Sequence, residues 1–432
     1  MSLDDNATFC LIGAGASGLT VAKNFRQAGL NFDCFERQGD VGGNWWYGSP
    51  VSSVYQSAHL ISSKRLTEYT DFPMPDDYPP YPSQAQVLDY LRSYARRFGL
   101  YEKIRFNCGV QRVEPQGDAW RVTLDDGSQR TYAGVVIANG HHWDPQRPTY
   151  PGTFSGQALH SAEYKTPEVL AGRRVLVVGA GNSGCDIAVE SAQHAAATFH
   201  SMRRGYHFVP KFLNGKPADV CGERLLRWHL PLWLRRIIAR RMVRMAIGAP
   251  ADFGLPAPDH KLFETHPIIN SQMLYYVGHG KIRVKPEVAE LAGDYVRFSD
   301  GSQEPIDTII YATGFRLSFP FIEREHLNWS AGRPQLFLNV FHPQNDRLFV
   351  AGLIQPDSGA WGLVDYQAQL IARFLLAKKN QPAQAERFRR LKQTATAELS
   401  AGIRYVDSPR HAIEVEHFTY RKRLQALIAE FG

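Results

Sequence analysis

The stretch Phe9-Cys-Leu-Ile-Gly-Ala-Gly-Ala-Ser-Gly18 runs from an apolar segment into a glycine-rich turn, and a helical pattern follows through Ala28. In a strand, turn and helix of this kind, the first glycine permits the tight turn and the second lets the backbone approach a diphosphate. The third lets the helix pack closely against the strand. The diphosphate lies at the positive end of the helix dipole. We therefore predict a dinucleotide-binding turn made of Gly13, Ala14, Gly15, Ala16, Ser17 and Gly18.

A carboxylate follows the next apolar strand. This strand covers Phe32 to Phe35 and ends in Glu36, 18 residues after Gly18. A carboxylate at that distance can accept hydrogen bonds from both ribose hydroxyls of an adenosine. The first site is therefore expected to bind a dinucleotide without a ribose 2′-phosphate, such as FAD.

The same plan recurs in the middle of the chain. Arg174 to Val178 forms a strand, a second glycine-rich turn follows, and a helical pattern continues to about Ala192. The next strand, Thr198 to Ser201, leads into paired arginines where the first copy has an acid. Guanidinium groups suit a ribose 2′-phosphate, so this site should prefer NADPH to NADH. The predicted contacts are Gly179, Gly181, Asn182, Ser183, Gly184, Arg203 and Arg204.

Further matches between the two copies support a duplication. The matched segments are 103–106 with 281–284, 126–129 with 300–303, and 135–140 with 309–314. Matched motifs at matched places predict an α/β protein with two Rossmann-like dinucleotide-binding domains.

The order of the two copies predicts that the NADPH domain is inserted into the FAD domain. Residues 1–155 are expected to form the first part of the FAD domain and to end in a proline-rich linker at 144–152. Residues 165–310 are expected to form the NADPH domain, with a basic helical insert at about 205–270. Residues 311–432 should return to the FAD domain and add C-terminal helices.

Composition excludes several classes of protein. The 432 residues are 44% hydrophobic and 21% charged, which is typical of a globular protein. No apolar run approaches the roughly 18 residues that span a bilayer, and the polar start Met1 to Thr8 argues against a signal peptide. The five cysteines lie at least 24 residues apart, so neither a redox pair nor a metal site is predicted. We expect a reducing, cytoplasmic location.

The net charge of +7 is concentrated in one block. Residues 201–250 hold eleven basic residues and two acidic ones, which gives +9, so no nucleic-acid partner is expected for the protein as a whole. A basic amphipathic helix within 224–245 could contact a membrane surface. The favoured alternative is that it packs over the active-site mouth or a partner subunit, as in a homodimer. An apolar stripe should lie opposite three arginines: Leu234, Ile238, Met242 and Met245 against Arg236, Arg240 and Arg244.

Two nucleotide sites of opposite ribose chemistry imply hydride transfer from nicotinamide to flavin. A disulfide reductase would need a close cysteine pair, which this chain lacks, so the electrons should pass to oxygen or another acceptor. Just before the second turn, Phe154 to Lys165 fits the pattern FxGxxxHxxxYK. Gly42-Gly43-Asn44-Trp45 and Ala-Thr-Gly-Phe at 312–315 are further motifs. Together these segments resemble the flavin-containing monooxygenase family.

The resemblance implies an enzyme that uses FAD, NADPH and O₂. In that family a C4a-hydroperoxyflavin forms and transfers one oxygen atom to a soft nucleophilic nitrogen or sulfur, with an indole-type carbon as a variant. The protein holds the geometry and excludes water, so no acid–base side chain is expected to be catalytic, and we expect a structural role for His160. The resemblance places near the flavin Gly43, Asn44, Trp45, Ile61, Ser62 and Gln355.

One position departs from the family pattern. Many members have Asn before Ser62-Ser63-Lys64, where this chain has Ile61. An isoleucine side chain cannot form hydrogen bonds. We therefore hypothesise that the hydroperoxide is shorter-lived here, or is stabilised from elsewhere, for example by Ser62.

Two other functions stay open at this point. One is Baeyer–Villiger or decarboxylative oxygenation of a carbonyl compound, although those relatives usually have Trp then Pro or Asp at the place of Tyr164-Lys165. The other is an NADPH oxidase or electron-transfer flavoprotein, which would consume NADPH without placing oxygen in a product. The substrate itself is not identified by the sequence.

Overall fold

The computed structural model describes residues 7–228, 230–395 and 397–432. The start of the first expected domain, residues 1–6, lies outside these ranges. The α-helices of the described part are Ala16–Gln27, Lys64–Thr67, Gln84–Arg97, Asn182–His194, Ala218–Arg227, Leu232–Ile247, Gln272–Gly278, Trp361–Asn380, Pro382–Thr394 and His417–Ala429.

The first sheet has five parallel strands. Their spatial order is Leu348–Val350, Gly134–Ile137, Thr8–Ile12, Asn31–Phe35 and Ile104–Arg105. The strand that leads into the first glycine turn therefore lies at the centre. The continuous apolar sequence of this strand suits burial on both faces.

The second sheet repeats this order. Its five parallel strands are Gln157–His160, Thr308–Tyr311, Arg174–Val178, Ala197–Ser201 and Ile282–Lys285. Again the strand before the glycine turn is central. The prediction of two Rossmann-like units in one α/β chain is confirmed.

Each unit also carries a sheet with antiparallel strands, and the matched segments 126–129 and 300–303 lie at equivalent hairpin turns of the two sheets. In both turns the aspartate Oδ1 accepts the amide of the serine two residues later at 2.9 Å, Asp126 from Ser128 and Asp300 from Ser302. The strands of the first are Val110–Gln116, Ala119–Leu124 and Gln129–Tyr132. Those of the second are Val288–Gly293, Tyr295–Phe298 and Gln303–Pro305, and Gly152–Phe154 joins the edge of this sheet as a parallel strand. Three two-stranded pairs complete the set: Phe212–Leu213 with Lys216–Pro217, Trp329–Ser330 with Arg333–Pro334, and Gln355–Pro356 with Glu414–Val415.

Strand pairing changes the boundary expected between the two units. Gly152–Phe154 pairs with residues 291–293, and Gln157–His160 pairs with Thr308–Tyr311. Both strands are therefore part of the second unit. The second unit thus includes strands that lie before the expected boundaries at 155 and 165, since the local sequence of a short edge strand does not show which sheet it joins.

The first sheet is covered on both faces. The helices Ala16–Gln27, Gln84–Arg97 and Trp361–Asn380 pack around one core that includes Phe9 and Phe25. The other face packs against the three-stranded antiparallel sheet. Both glycine turns lie where their central strands leave such a core, so the backbone of each turn is held rigidly.

The basic insert forms the helix Leu232–Ile247, and its predicted stripe is partly wrong. Leu234, Ile238 and Met242 are half-buried, but the Met245 side chain is 72% exposed. Arg236, expected on the solvent side, is half-buried. The reason is that its Nη2 lies 2.8 Å from Oε1 of Glu264. None of the helices in the described ranges has the length and apolar character needed to cross a bilayer.

Candidate cofactor-binding site

The first glycine turn has the shape that a bound diphosphate requires. Gly13 has a φ of +100°, a conformation that other residues rarely adopt. A Cβ on Gly18 would lie 1.8 Å from the carbonyl oxygen of Gly13, so only glycine lets the helix approach the strand. At Gly15 the nearest atom to an added Cβ is the Cα of Gly43, 3.6 Å away. The turn thus presents bare backbone at a helix start, which favours a diphosphate.

The predicted flavin loop lies directly on this turn. The amide of Gly42 donates to the carbonyl oxygen of Ala14 at 3.1 Å, which places Gly43 beside Gly15. The helix start is held in turn by Tyr69, whose hydroxyl donates to the carbonyl oxygen of Ala16 at 2.6 Å. Two segments that are remote in sequence therefore form one backbone surface.

Asn44 and Trp45 complete this loop through contacts within the protein. The Asn44 side-chain oxygen accepts hydrogen bonds from the amide and the hydroxyl of Ser53, both at 2.7 Å. The carbonyl oxygen of Asn44 accepts from the Ser52 hydroxyl at 2.6 Å. The Trp45 ring packs edge-on against Trp361, with 6.1 Å between the ring centroids. The side-chain oxygen of Asn44 therefore positions the loop.

Glu36 is fixed beside the first turn. Its Oε2 accepts the amide of Ala14 at 2.7 Å, and its Oε1 accepts the amide of Gln38 at 2.9 Å. The residue is 6% exposed. Burial raises the pKa of the carboxyl above its usual value, and the two backbone hydrogen bonds partly oppose this rise. The acid thus stands next to the turn, as the sequence predicted for a ribose ligand.

The second glycine turn has the same construction. Gly179 has a φ of +109°, and a Cβ on Gly184 would lie 1.9 Å from the carbonyl oxygen of Gly179. The side chain of Asn182 forms two hydrogen bonds within the protein. Its Nδ2 donates to the carbonyl oxygen of Pro267 at 3.0 Å, and its Oδ1 accepts the amide of Ile269 at 2.8 Å. Ser183 is exposed. Asn182 therefore fixes the end of the basic insert against the turn.

The two predicted phosphate-binding arginines have different environments. Arg204 donates to Asp259 through Nε at 3.0 Å and through Nη2 at 2.8 Å, both to Oδ2. Hydrogen bonding from Arg204 lowers the pKa of Asp259 to about 2. Arg203 is exposed, and no residue of the described ranges forms an ion pair with it. Arg203 is therefore the free guanidinium at this end of the strand Ala197–Ser201.

Ile61 and Ser62 line a narrow cavity of about 30 Å³ together with residues from four other parts of the chain. One wall is Asp219, whose Oδ2 accepts the amide of Ser63 at 2.6 Å. His266, Ile269 and Asp357 also line this cavity. Enclosure by the protein and the nearby charge of Glu416 raise the pKa of Asp357 to about 7. The Ser62 hydroxyl shares a hydrogen bond with Thr67 at 2.8 Å.

Gln355 is held by the C-terminal part of the chain. Its side-chain amide donates to Oε1 of Glu414 at 2.7 Å, and its backbone amide donates to the carbonyl oxygen of Ile413 at 2.9 Å. Ser17 of the first turn faces the same segment, since a Cβ on Gly352 would lie 2.1 Å from the Ser17 hydroxyl oxygen. Gln355 therefore lies three residues after Gly352, which packs against Ser17 of the first turn.

The segment Phe154 to Lys165 joins the two units. Nδ1 of His160 accepts the amide of Ala162 at 3.1 Å, so Nε2 carries the proton and donates to the carbonyl oxygen of Gly314 at 3.1 Å. Both nitrogens of His160 are occupied, which agrees with a structural role. Lys165 donates to the carbonyl oxygens of Ser52 at 2.5 Å and Val54 at 3.2 Å in the first unit.

The segment Phe154 to Lys165 links the two units that carry the glycine turns. Comparison with known proteins agrees with the family resemblance of this segment. The model of the family described as flavin-binding monooxygenase-like matches residues 7–430. The chain belongs to this family. As a member it is an NADPH- and O₂-dependent flavin monooxygenase that uses FAD and NADPH.

Known relatives cover most of this monooxygenase. Flavin-containing monooxygenase 5 of Rattus norvegicus is 34% identical, over 97% of this chain and 82% of that protein. Dimethylaniline monooxygenase (N-oxide-forming) 2 of Oryctolagus cuniculus is 34% identical, over 84% of this chain and 72% of that protein. The structure of S-allyl-L-cysteine S-oxygenase from Allium sativum matches with a TM-score of 0.68 and 22% identity, over 98% of this chain and 88% of that one. This last likeness concerns the fold.

Several residues around the sites of this monooxygenase were missed by sequence reasoning. Asp219 did carry a signal, because it is one of two acids in the basic block 201–250, and the structure uses it to fix Ser63. Asp259 and Asp357 carried none. Their roles depend on which segments meet in the folded chain.

Proposed function

We propose that this monooxygenase transfers one oxygen atom from O₂ to a soft nucleophilic nitrogen or sulfur centre. The proposal rests on two glycine turns of the same construction whose expected ribose-binding side chains have opposite charge. In the first unit this side chain is the buried carboxylate of Glu36, and in the second it is the free guanidinium of Arg203. Bound FAD and NADPH supply hydride transfer and the activation of O₂. The 34% identity to a dimethylaniline N-oxide-forming relative supports a nitrogen substrate.

The residues of the chain bind, orient and exclude water. Glu36 is assigned to the FAD ribose, and Arg203 is assigned to the 2′-phosphate of NADPH. Ile61 and Ile269 give the narrow cavity apolar walls, which keep water away from the reacting centre. Lys165 fixes the second unit to the loop that carries Ser52, and Ser52 in turn holds Asn44.

The test is NADPH oxidation by the purified, FAD-loaded enzyme under ¹⁸O₂ with an amine, a sulfide, an indole and a ketone side by side. We expect one labelled oxygen in the amine or sulfide product. A labelled ester from the ketone alone would replace the proposal by Baeyer–Villiger chemistry. Consumption of NADPH with label in none of the products would indicate an oxidase or electron-transfer protein.

Ile61 sets the efficiency of this oxygen transfer in our proposal. Because the Ile61 side chain forms no hydrogen bond in the cavity, part of the O₂ reduced with electrons from NADPH should be released as hydrogen peroxide. Ile61→Asn should lower the ratio of peroxide released to NADPH oxidised. The control is Ile269→Asn, which places an amide on another wall of the same cavity. An equal peroxide ratio in Ile61→Asn and the parent enzyme would contradict this role.

We further propose that the protein is cytoplasmic and that the helix Leu232–Ile247 contacts anionic membrane surfaces. Trp233, Ile237 and Met245 are 63%, 57% and 72% exposed. Exposed arginines lie beside them. A two-fold contact between copies would bring these arginines together, whereas an anionic surface would attract them. The five unpaired cysteines support a reducing compartment.

Flotation with liposomes that contain phosphatidylserine tests this surface. We expect binding that falls with salt and is lost in Trp233→Ser/Ile237→Ser, while phosphatidylcholine liposomes bind weakly. A stable dimer in light scattering that the same double substitution dissociates, without lipid binding, would show that the helix is a subunit interface instead.

A further inference from the structure

Residues 405–416, which we name the C-terminal strap, connect the surroundings of the two nucleotide sites. At one end, Glu414–Val415 pairs with Gln355–Pro356 of the first unit. At the other, the amide of Val406 donates to the carbonyl oxygen of Glu264 in the insert at 2.8 Å. Between these points the amide of His266 donates to Nε2 of His411 at 3.4 Å. The strap is thus tied to both units.

The strap carries Arg410 to the second glycine turn. A Cβ on Gly181 would lie 3.8 Å from Nη2 of Arg410, and among the described residues other than the chain neighbours of Gly181 no atom is nearer to that point. The guanidinium carbon of Arg410 lies 5.7 Å from the ring centroid of Tyr206. Arg410 is half-buried, and within residues 7–228, 230–395 and 397–432 no carboxylate forms an ion pair with it.

This arrangement is unfavourable in the protein alone. Gly181 is the N-cap of the helix Asn182–His194, whose first turn holds unpaired amides and the positive end of the helix dipole. A guanidinium at the same end adds a second positive charge. An anion that accepts hydrogen bonds from both the amides and the guanidinium removes the conflict. The second glycine of such a turn is the one that a diphosphate approaches.

We propose that Arg410 binds the diphosphate of the nicotinamide nucleotide, so that the C-terminal strap forms one wall of the second nucleotide site. This inference rests on the proposed assignment of NADPH to the turn at Gly179 to Gly184. Its consequence is that the nucleotide holds the strap in place, and the strap in turn holds Gln355 through Glu414. Nucleotide binding at the second site therefore affects the position of Gln355 at the first site.

Equilibrium binding to the FAD-loaded enzyme tests the proposal without turnover. NADP⁺ and NAD⁺ are titrated calorimetrically into the parent enzyme and into Arg410→Ala, Arg410→Lys, Arg203→Ala and Arg404→Ala. Arg404 is the matched control, since it is an exposed arginine just before the strap. Flavin content and thermal unfolding of each variant show that it has folded.

The two arginines should give different patterns. The diphosphate is common to both nucleotides, so Arg410→Ala should weaken NADP⁺ and NAD⁺ alike, by about ten- to one-hundred-fold. Arg410→Lys should retain part of the affinity, because lysine keeps the charge but not the planar fork. Arg203→Ala should weaken NADP⁺ only, and Arg404→Ala should change neither. Hydrogen exchange of residues 405–413 should slow on NADP⁺ binding in the parent enzyme and stay unchanged in Arg410→Ala.

The outcomes distinguish a failure of the Arg410 assignment from a failure of the nucleotide assignment to the second glycine turn. If Arg203→Ala weakens NADP⁺ but Arg410→Ala does not, the role of Arg410 is wrong while the second site stands. If neither substitution changes NADP⁺ binding, the assignment of the second turn is wrong as well. A folded Arg410→Ala enzyme that binds NAD⁺ normally and NADP⁺ poorly would move Arg410 from the diphosphate to the 2′-phosphate and overturn the proposal.

Discussion

Arg204 and Asp259 form a bidentate ion pair beside the second glycine turn, with Nη2 of Arg204 2.8 Å from Oδ2 of Asp259. The pair closes the insert back onto the end of the strand Ala197–Ser201. Of two neighbouring arginines, one is therefore engaged by the protein and the other, Arg203, faces solvent. Because their environments differ, we expect different effects when Arg203 and Arg204 are substituted.

Arg203→Ala should lower the preference for NADPH over NADH by about ten- to one-hundred-fold, because a charge-assisted hydrogen bond to the 2′-phosphate is lost. Arg204→Ala should change that preference much less, since its guanidinium is held by Asp259. The measurement is kcat/KM for each nucleotide. Equal losses in the two variants would show that Arg204 leaves Asp259 to share the phosphate.

Lys165→Met should weaken both the fold and the retention of FAD. The Lys165 ammonium donates to the carbonyl oxygens of Ser52 and Val54, and Ser52 holds Asn44 in the flavin loop. We expect the free energy of unfolding to fall by about 1–3 kcal/mol and FAD to dissociate faster. Urea denaturation and flavin release measure these effects. Lys103→Met, at an exposed lysine, is the control, and similar losses in both variants would contradict the role of Lys165.

Lys23→Met should strongly destabilise the first unit. The Lys23 side chain is 2% exposed, and its Nζ lies 3.0 Å from Oδ1 of Asp365, which is fully buried. Without the ammonium, the Asp365 carboxylate loses its buried partner, at a cost of about 3–5 kcal/mol. Adding Asp365→Leu should restore part of this loss in chemical denaturation. If the double variant loses the sum of the two single losses, the pair is not coupled.

Asp357→Asn should flatten the dependence of stability on pH. Enclosure by the protein raises the pKa of Asp357 to about 7, above the ordinary value near 4 of an aspartate in the unfolded chain. The protonated acid therefore favours the folded state fully below pH about 4, and this contribution falls by up to about 1.4 kcal/mol per pH unit toward pH about 7. Unfolding of both enzymes between pH 4 and 8 is the measurement. Parallel profiles would show that Asp357 does not titrate in this range.

Much of the fold can be predicted from local sequence. The turn at Gly13 to Gly18 and the turn at Gly179 to Gly184 were both predicted, because each depends on steric limits within a few residues. Glu36 was predicted to lie beside the first turn for the same reason, since a strand ends there. The place of Gln157–His160 at the edge of the second sheet was not predicted, because its local sequence does not show which sheet it joins.

The sequence by itself determined the two nucleotide turns and the residue types at their ribose ends, because backbone sterics and strand–turn–helix geometry act over short distances. Tertiary structure decided which charged side chains are engaged within the protein and which remain free to bind a ligand. Asp259 engages Arg204, Asp219 holds Ser63, and Arg410 reaches Gly181 from the C-terminal strap. These relationships join segments far apart in the chain, and only the packing of the segments brings their side chains within hydrogen-bonding or electrostatic reach.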